Sequence, residues 1–159
     1  MKSATVFART KKETALNGFC CEFDAKSANE SFARLVVSSF VAQLDPTIDE
    51  LTDIKTSVSE AVTNCIVHAY RDREKYRGAK IRLSGEYWAD GRVRITVRDR
   101  GCGIENIKQA MEPLYTTDAK GERSGMGFTI IASFSDKLKV TSGIGKGTAV
   151  TFEKRVRLG

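Results

Sequence analysis

Between Pro46 and Tyr70 the chain has one reasonable structure. Proline cannot extend the segment before it. Thr47 can cap the helix that follows, and Glu50, three residues on, completes a capping box. Apolar residues then recur at Leu51, Ile54, Val58, Ala61, Val62, Cys65, Ile66 and Ala69, the spacing of one buried helical face running to about residue 70. Glu60 and Asn64 stand at the border of that face, one turn apart. A carboxylate offers a base or an acceptor, and a carboxamide offers an oxygen suited to a hard cation such as Mg²⁺. Taken alone, the pair also suits two solvated edge residues.

A long helix of this kind needs a partner layer, and the later sequence supplies one. Residues 80–88 and 92–99 read as two strands joined at Ala89-Asp90-Gly91, where Asp-Gly is a strong hairpin signal. Val93, Ile95 and Val97 alternate with Arg92, Arg94, Thr96 and Arg98, so one face of the sheet is buried and the other wet. Residues 19–23, 137–142 and 148–156 add further strands. A second helix is expected over 30–44, capped by Ser27 or Asn29, with Phe32, Leu35, Val36, Ser39 and Phe40 on one face. Val37 and Val41 widen its apolar stripe, as a broad core-facing side commonly does and as packing against both the core and a partner chain would also require. Residues 1–17 carry no sustained period and read as a poorly structured extension to a single domain over 18–156. A chain of 159 residues holds one such domain.

Several classes fall away. No apolar run approaches the roughly 20 residues of a membrane span, and no secretory h-region follows the start, which places the chain in the cytoplasm by default. The net charge of +6 arises from scattered Lys and Arg residues, a pattern that argues for no direct nucleic-acid contact. Four cysteines without C-x-x-C spacing and a single histidine, His68, make no zinc set; Cys65 reads as a small core residue.

What remains is an ordered set of ligand-compatible pieces. Asp99 ends a strand and opens DRGCGI, where it can accept a hydrogen bond from an exocyclic amine such as that of adenine. Gly101 and Gly103 permit close backbone approach to a base and sugar. The aperiodic stretch 112–123 has the length of a lid, and Lys120 and Arg123 within it can close over phosphates. SGMGF, residues 124–128, puts the N–H groups of Gly125 and Gly127 at a helix start, a ready anion site. Thr148, after Gly147, can donate its hydroxyl to Asp99 or to a base-bound water. Each piece alone is weak; their order is hard to obtain by chance.

EAVTN, DRGCGI, SGMGF and the final GT resemble the N, G1, G2 and G3 boxes of the GHKL ATPase and kinase superfamily. NESFAR (29–34), FVAQLDPT (40–47), DELTDIKTSVSEAVTN (49–64) and ERSGMGFTI (122–130) are more narrowly similar to the anti-sigma-F factors of endospore-forming bacteria. The resemblance implies an α+β fold, a two-layer sandwich of the Bergerat type with helices on one face of a mixed, mostly antiparallel sheet. It implies a homodimer that holds a sporulation sigma factor away from RNA polymerase. It also implies an ATP-dependent serine kinase, leaving ADP, that phosphorylates an anti-anti-sigma protein. Carried over by motif, Glu60 is the general base, Asn64 the Mg²⁺ ligand and Asp99 the adenine reader. Gly101, Gly103, Gly125, Met126, Gly127, Phe128 and Thr148 surround the nucleotide, with Lys120, Arg123 and Ser124 at its phosphate end. Glu30 and Arg34 fall in the region of partner contact. Two other readings of the same motifs are a general-stress anti-sigma kinase, against which NESFAR argues, and a sigma-sequestering module with little phosphotransfer.

Overall fold

The capping box at Thr47 forms. In the computed structural model, which describes residues 13–113 and 127–158, Glu50 N–H donates to Thr47 Oγ1 (3.2 Å) and Thr47 N–H donates to Glu50 Oε2 (2.9 Å). They open α2 (Ile48–Asn64), which buries Ile54, Val58, Ala61 and Val62. The helix does not run regularly to Tyr70. Cys65–Ala69 is a π turn, closed by the bond from Tyr70 N–H to Cys65 C=O (3.0 Å). An apolar period cannot reveal one wider turn, and such turns concentrate at functional sites.

Five strands form one sheet in the order β1-β2-β3-β5-β4, with all four pairings antiparallel. They are β1 (Asn17–Asp24), β2 (Lys80–Tyr87), β3 (Arg92–Arg98), β4 (Lys137–Gly143) and β5 (Gly147–Arg155). Alternation works as expected: Ile81, Leu83, Val93, Ile95, Val97, Val150 and Phe152 are buried in the core. In one rung Leu83 faces Val97 and Val97 faces Val150; in the next Gly85 faces Ile95 and Ile95 faces Phe152. Gly85 is small for a reason of packing. A Cβ there would lie 2.5 Å from the Phe19 ring and 3.0 Å from Ile95 Cδ1, so Phe19 of β1 occupies the space that a side chain on β2 would need.

Three helices supply the second layer: α1 (Asn29–Val41), α2 and α4 (Gly127–Phe134). A short α3 (Ile107–Ala110) precedes the segment that lies outside the described residues. The face that α1 buries differs from expectation. Ala33, Val37, Phe40 and Val41 point inward, while Phe32 and Leu35 stay 44% and 68% exposed. Small Ala33 and β-branched Val37 let α1 approach α2 closely, which bulky Phe32 and Leu35 would prevent. Neither expected cap acts as one. The N-cap position is Ala28, without a side-chain bond, and Asn29 Nδ2 instead donates to Asp24 C=O (2.9 Å), tying the helix start to β1.

Candidate nucleotide site

A cavity of about 900 Å³ opens between the end of α2, the start of α4 and the ends of β3 and β5, with Asn64, Asp99, Gly103, Gly127, Phe128 and Thr148 in its wall. Its volume suits a nucleotide. At one end, α2 and α4 bring three of the sequence candidates together. A Cβ on Gly127 would stand 3.1 Å from Asn64 Oδ1 and 3.3 Å from Glu60 Oε2. Glycine thus lets the first turn of α4 sit against the carboxylate and carboxamide of α2. Helix geometry explains the rest, since residues four apart present their side chains on one face.

At the other end Asp99 is 5% exposed. Its Oδ1 accepts Gly101 N–H (2.9 Å) and Thr148 N–H (3.2 Å). The Cys65 thiol stands beside this carboxylate and favours its charged form. Burial raises the Asp99 carboxyl above the ordinary aspartate range, against the pull of the two amides and the neighbouring thiol. The Cys65 thiol is pushed well above its usual value by burial first and by the neighbouring Asp99 charge second. The result is a buried acceptor held in one orientation.

Two candidates act differently from expectation. Thr148 meets Asp99 through its main-chain amide; its hydroxyl pairs with Ser142 Oγ (2.8 Å). Ser142 Oγ also accepts Ile104 N–H (2.8 Å) and donates to Gly147 C=O (3.0 Å), so its own proton is committed and Thr148 supplies the one between them. The glycines of DRGCGI answer first to protein neighbours. A Cβ on Gly101 would strike the Ala69 carbonyl, and one on Gly103 (φ +77°) the Gly143 carbonyl. That Ala69 carbonyl is turned by the π turn toward Cys102 N–H (3.0 Å). Tyr70 completes the join: its hydroxyl accepts Arg100 N–H (2.7 Å) and donates to Lys80 C=O (2.8 Å). His68, one turn after Asn64, lines the cavity.

Lys120, Arg123, Ser124, Gly125 and Met126, with most of the expected lid, lie outside the described residues. Glu30 and Arg34 are away from the cavity and form an i,i+4 ion pair (3.0 Å) that reaches α2. Arg34 Nη1 donates to Ser59 Oγ (3.0 Å), and Thr63 Oγ1 donates to Glu30 Oε2 (3.2 Å).

Residues 23–154 match the family model described as the histidine kinase-like ATPase domain. The chain is 53% identical over 139 residues to a protein of Clostridium beijerinckii named anti-sigma F factor, covering 87% of this chain and 94% of that one. The chain belongs to the anti-sigma F family. A protein of the same name in Geobacillus thermodenitrificans is also 53% identical, over 85% of this chain and 90% of its own length. Among solved structures, the RsbU and RsbW domains of Rv1364c from Mycobacterium tuberculosis share the fold, with TM-score 0.64 over 88% of this chain and 32% of that one at 19% identity.

Membership in a family of histidine kinase-like ATPase domains implies ATP binding. Among the described residues no helix is long and apolar enough to cross a membrane. For this member of the anti-sigma F family, the sequence misses two residues that shape the site, Cys65 and Ser142. Cys65 follows Asn64 directly, but its apolar period conceals its polar partner. Ser142 lies in a β-hairpin end where nothing local marks it.

Proposed function

We propose that this chain is an anti-sigma factor and a serine protein kinase. It binds a sporulation sigma factor as a homodimer, and it uses Mg-ATP to phosphorylate and so inactivate an anti-anti-sigma protein. The observation that carries the reading is the convergence of Glu60, Asn64 and Gly127 at one end of a cavity whose other end holds the buried Asp99. Identity above half to proteins named anti-sigma F factor supports the choice of partners.

The residues divide the work by chemistry. Asp99 accepts the adenine 6-amino hydrogen; guanine presents an acceptor there and is repelled. The N–H groups at the start of α4 face the phosphates, assisted by the helix dipole. The motif likeness assigns Lys120, Arg123, Ser124, Gly125 and Met126 to the same phosphates. Asn64 Oδ1 is a hard donor suited to Mg²⁺, which when bound offsets phosphate charge. Among the described residues no three His, Cys, Asp or Glu side chains form a metal-binding group. One protein oxygen with phosphates and waters is a common setting for nucleotide-bound Mg²⁺. Glu60, on the same face, orients the incoming serine hydroxyl and takes its proton as the oxygen attacks.

Partner contact falls on α1. Exposed Phe32 and Leu35 give it an apolar outer side for the homodimer, and Glu30 with Arg34 gives a charged patch for sigma. The test uses one preparation of Glu60→Ala. ATP binding and sigma retention are expected to persist while transfer of phosphate to the antagonist disappears. Loss of ATP binding in this variant would remove Glu60 from the role of base.

A further inference from the structure

The open face of the sheet is divided along its length. Near the β2–β3 turn the arginines have acids beside them: Arg94 with Glu153 (2.6 Å), Arg92 with Glu13 (2.7 Å) and Arg155 with Asp90 (3.1 Å). At the other end acids are fewer, and the exposed one is Glu22, across from Arg82 on β1. Arg82 and Arg98 are direct cross-strand partners, both exposed. The loop between the π turn and β2 brings Lys75 and Arg77; the end of β3 and the β4–β5 hairpin bring Arg100 and Lys146. These six side chains surround one concavity of about 1100 Å³. Among the described residues none of the six is ion-paired with an acid. Lys80 at the rim is neutralised by Asp24 (2.6 Å). The wall contains Glu22 as its exposed carboxylate, while that of Asp99 is buried and occupied by its own hydrogen bonds.

Like charges directly opposite on a sheet destabilise it, and an anion between them reverses the sign. Two features leave room for one. Ala149, the cross-strand neighbour of Arg98 on β5, has only a methyl group and leaves the floor open, and Thr141 beside it offers a hydroxyl. Guanidinium forks match phosphate oxygens two at a time. An extended acidic peptide presents a carboxylate to one face only every ~7 Å, because alternate side chains point away. Six cations around one concavity call for denser charge.

We propose that this concavity is a second anion site that takes a compact oligophosphate, either free or as the tail of a nucleotide. Asp99, Ser142 and Thr148 border both it and the nucleotide cavity, but its cations come from the opposite face of the sheet. The site does not depend on the kinase reading.

The test is a titration of ¹⁵N-labelled full-length protein with sodium tripolyphosphate, followed by amide NMR shifts. Saturable shifts are expected at Arg82, Arg98, Thr141 and Ala149, as a set separate from those at Asn64 and Gly127. In the double variant Arg82→Ser, Arg98→Thr the affinity for that set is expected to fall about tenfold or more. The variant Arg155→Ser removes a charge from the acid-balanced end and is expected to change it less than about twofold. A parallel titration with UTP separates the two sources. Affinity equal to tripolyphosphate assigns a bare oligophosphate, and tighter binding with added shifts at Tyr76 assigns a nucleotide tail. Shifts confined to the nucleotide cavity would overturn the proposal. So would an equal loss in Arg155→Ser, or tighter binding by a tetraglutamate peptide.

Discussion

The thiol of Cys65 stands beside the carboxylate of Asp99 and steadies its charged form, so a residue with the spacing of a core position acts on the proposed adenine acceptor. Cys65→Ala removes that thiol without changing charge. Its expected effect on ATP is a roughly 3- to 10-fold weaker Kd, the worth of about one hydrogen bond. Cys65→Ser, which keeps a donor, is expected to recover most of it. Isothermal titration of both variants decides the matter, and an unaltered Kd in Cys65→Ala would assign the thiol to packing alone.

Asp99 gives a prediction of opposite sign for stability and for binding. Burial raises its carboxyl in the folded protein, so the folded state holds a proton that the unfolded chain releases. From the ordinary aspartate value up to the raised one, stability therefore falls as pH rises, and above that window the buried charge is a standing cost. Asp99→Asn removes the charge. Chemical unfolding at pH 7 is expected to show no loss of stability, or a gain, while ATP binding is lost because an amide donor can face the adenine amine. In the parent protein ATP affinity is expected to weaken on acidification sooner than an ordinary aspartate would dictate. A destabilised Asp99→Asn that still binds ATP would contradict both halves.

Gly127→Ala places a methyl group 3.1 Å from Asn64 and 3.3 Å from Glu60. The contacts are tight enough to displace both side chains by tenths of an ångström, and reacting groups tolerate little misplacement. Phosphotransfer is expected to fall about 100-fold, with the unfolding midpoint nearly unchanged. Full activity would mean that the start of α4 moves away from α2 during the reaction.

Gly85→Val tests the fold rather than the site. Its Cβ would overlap the Phe19 ring, so β1 must shift or the ring must leave the core. A loss of roughly 2–4 kcal/mol is expected from overpacking and displaced aromatic area, read by urea denaturation. The paired change Phe19→Ala with Gly85→Val should return part of it, since the new side chain then fills the vacated space.

Much of this is legible in the sequence, and for identifiable reasons. The Thr47–Glu50 box and the alternation around Ile95 are local signals, and both form as read. The pairing of Glu60 with Asn64 follows from helical spacing alone. Relations between distant segments were not legible. No pattern in α1 says that Ala33 and Val37, rather than Phe32 and Leu35, meet α2, because a wide apolar stripe permits either rotation. The π turn at Cys65–Ala69 depends on Gly101 and Cys102 docking against Ala69, some thirty residues away. Thr148 meets Asp99, but through another atom than its sequence context suggests: its amide lies there because β5 begins beside the end of β3, and its hydroxyl donates to Ser142.

The most direct measurement is transfer of γ-labelled phosphate from Mg-ATP to the anti-anti-sigma partner by the parent protein and by Asn64→Ala. The proposed function predicts label on a partner serine with the parent protein and a loss of at least about 100-fold in the variant, as expected when charge stabilisation at the transferring phosphate is removed. Bound ATP with no label on the partner would contradict the kinase assignment and leave a nucleotide-gated sigma-binding module. Undiminished label with Asn64→Ala would instead place the metal elsewhere.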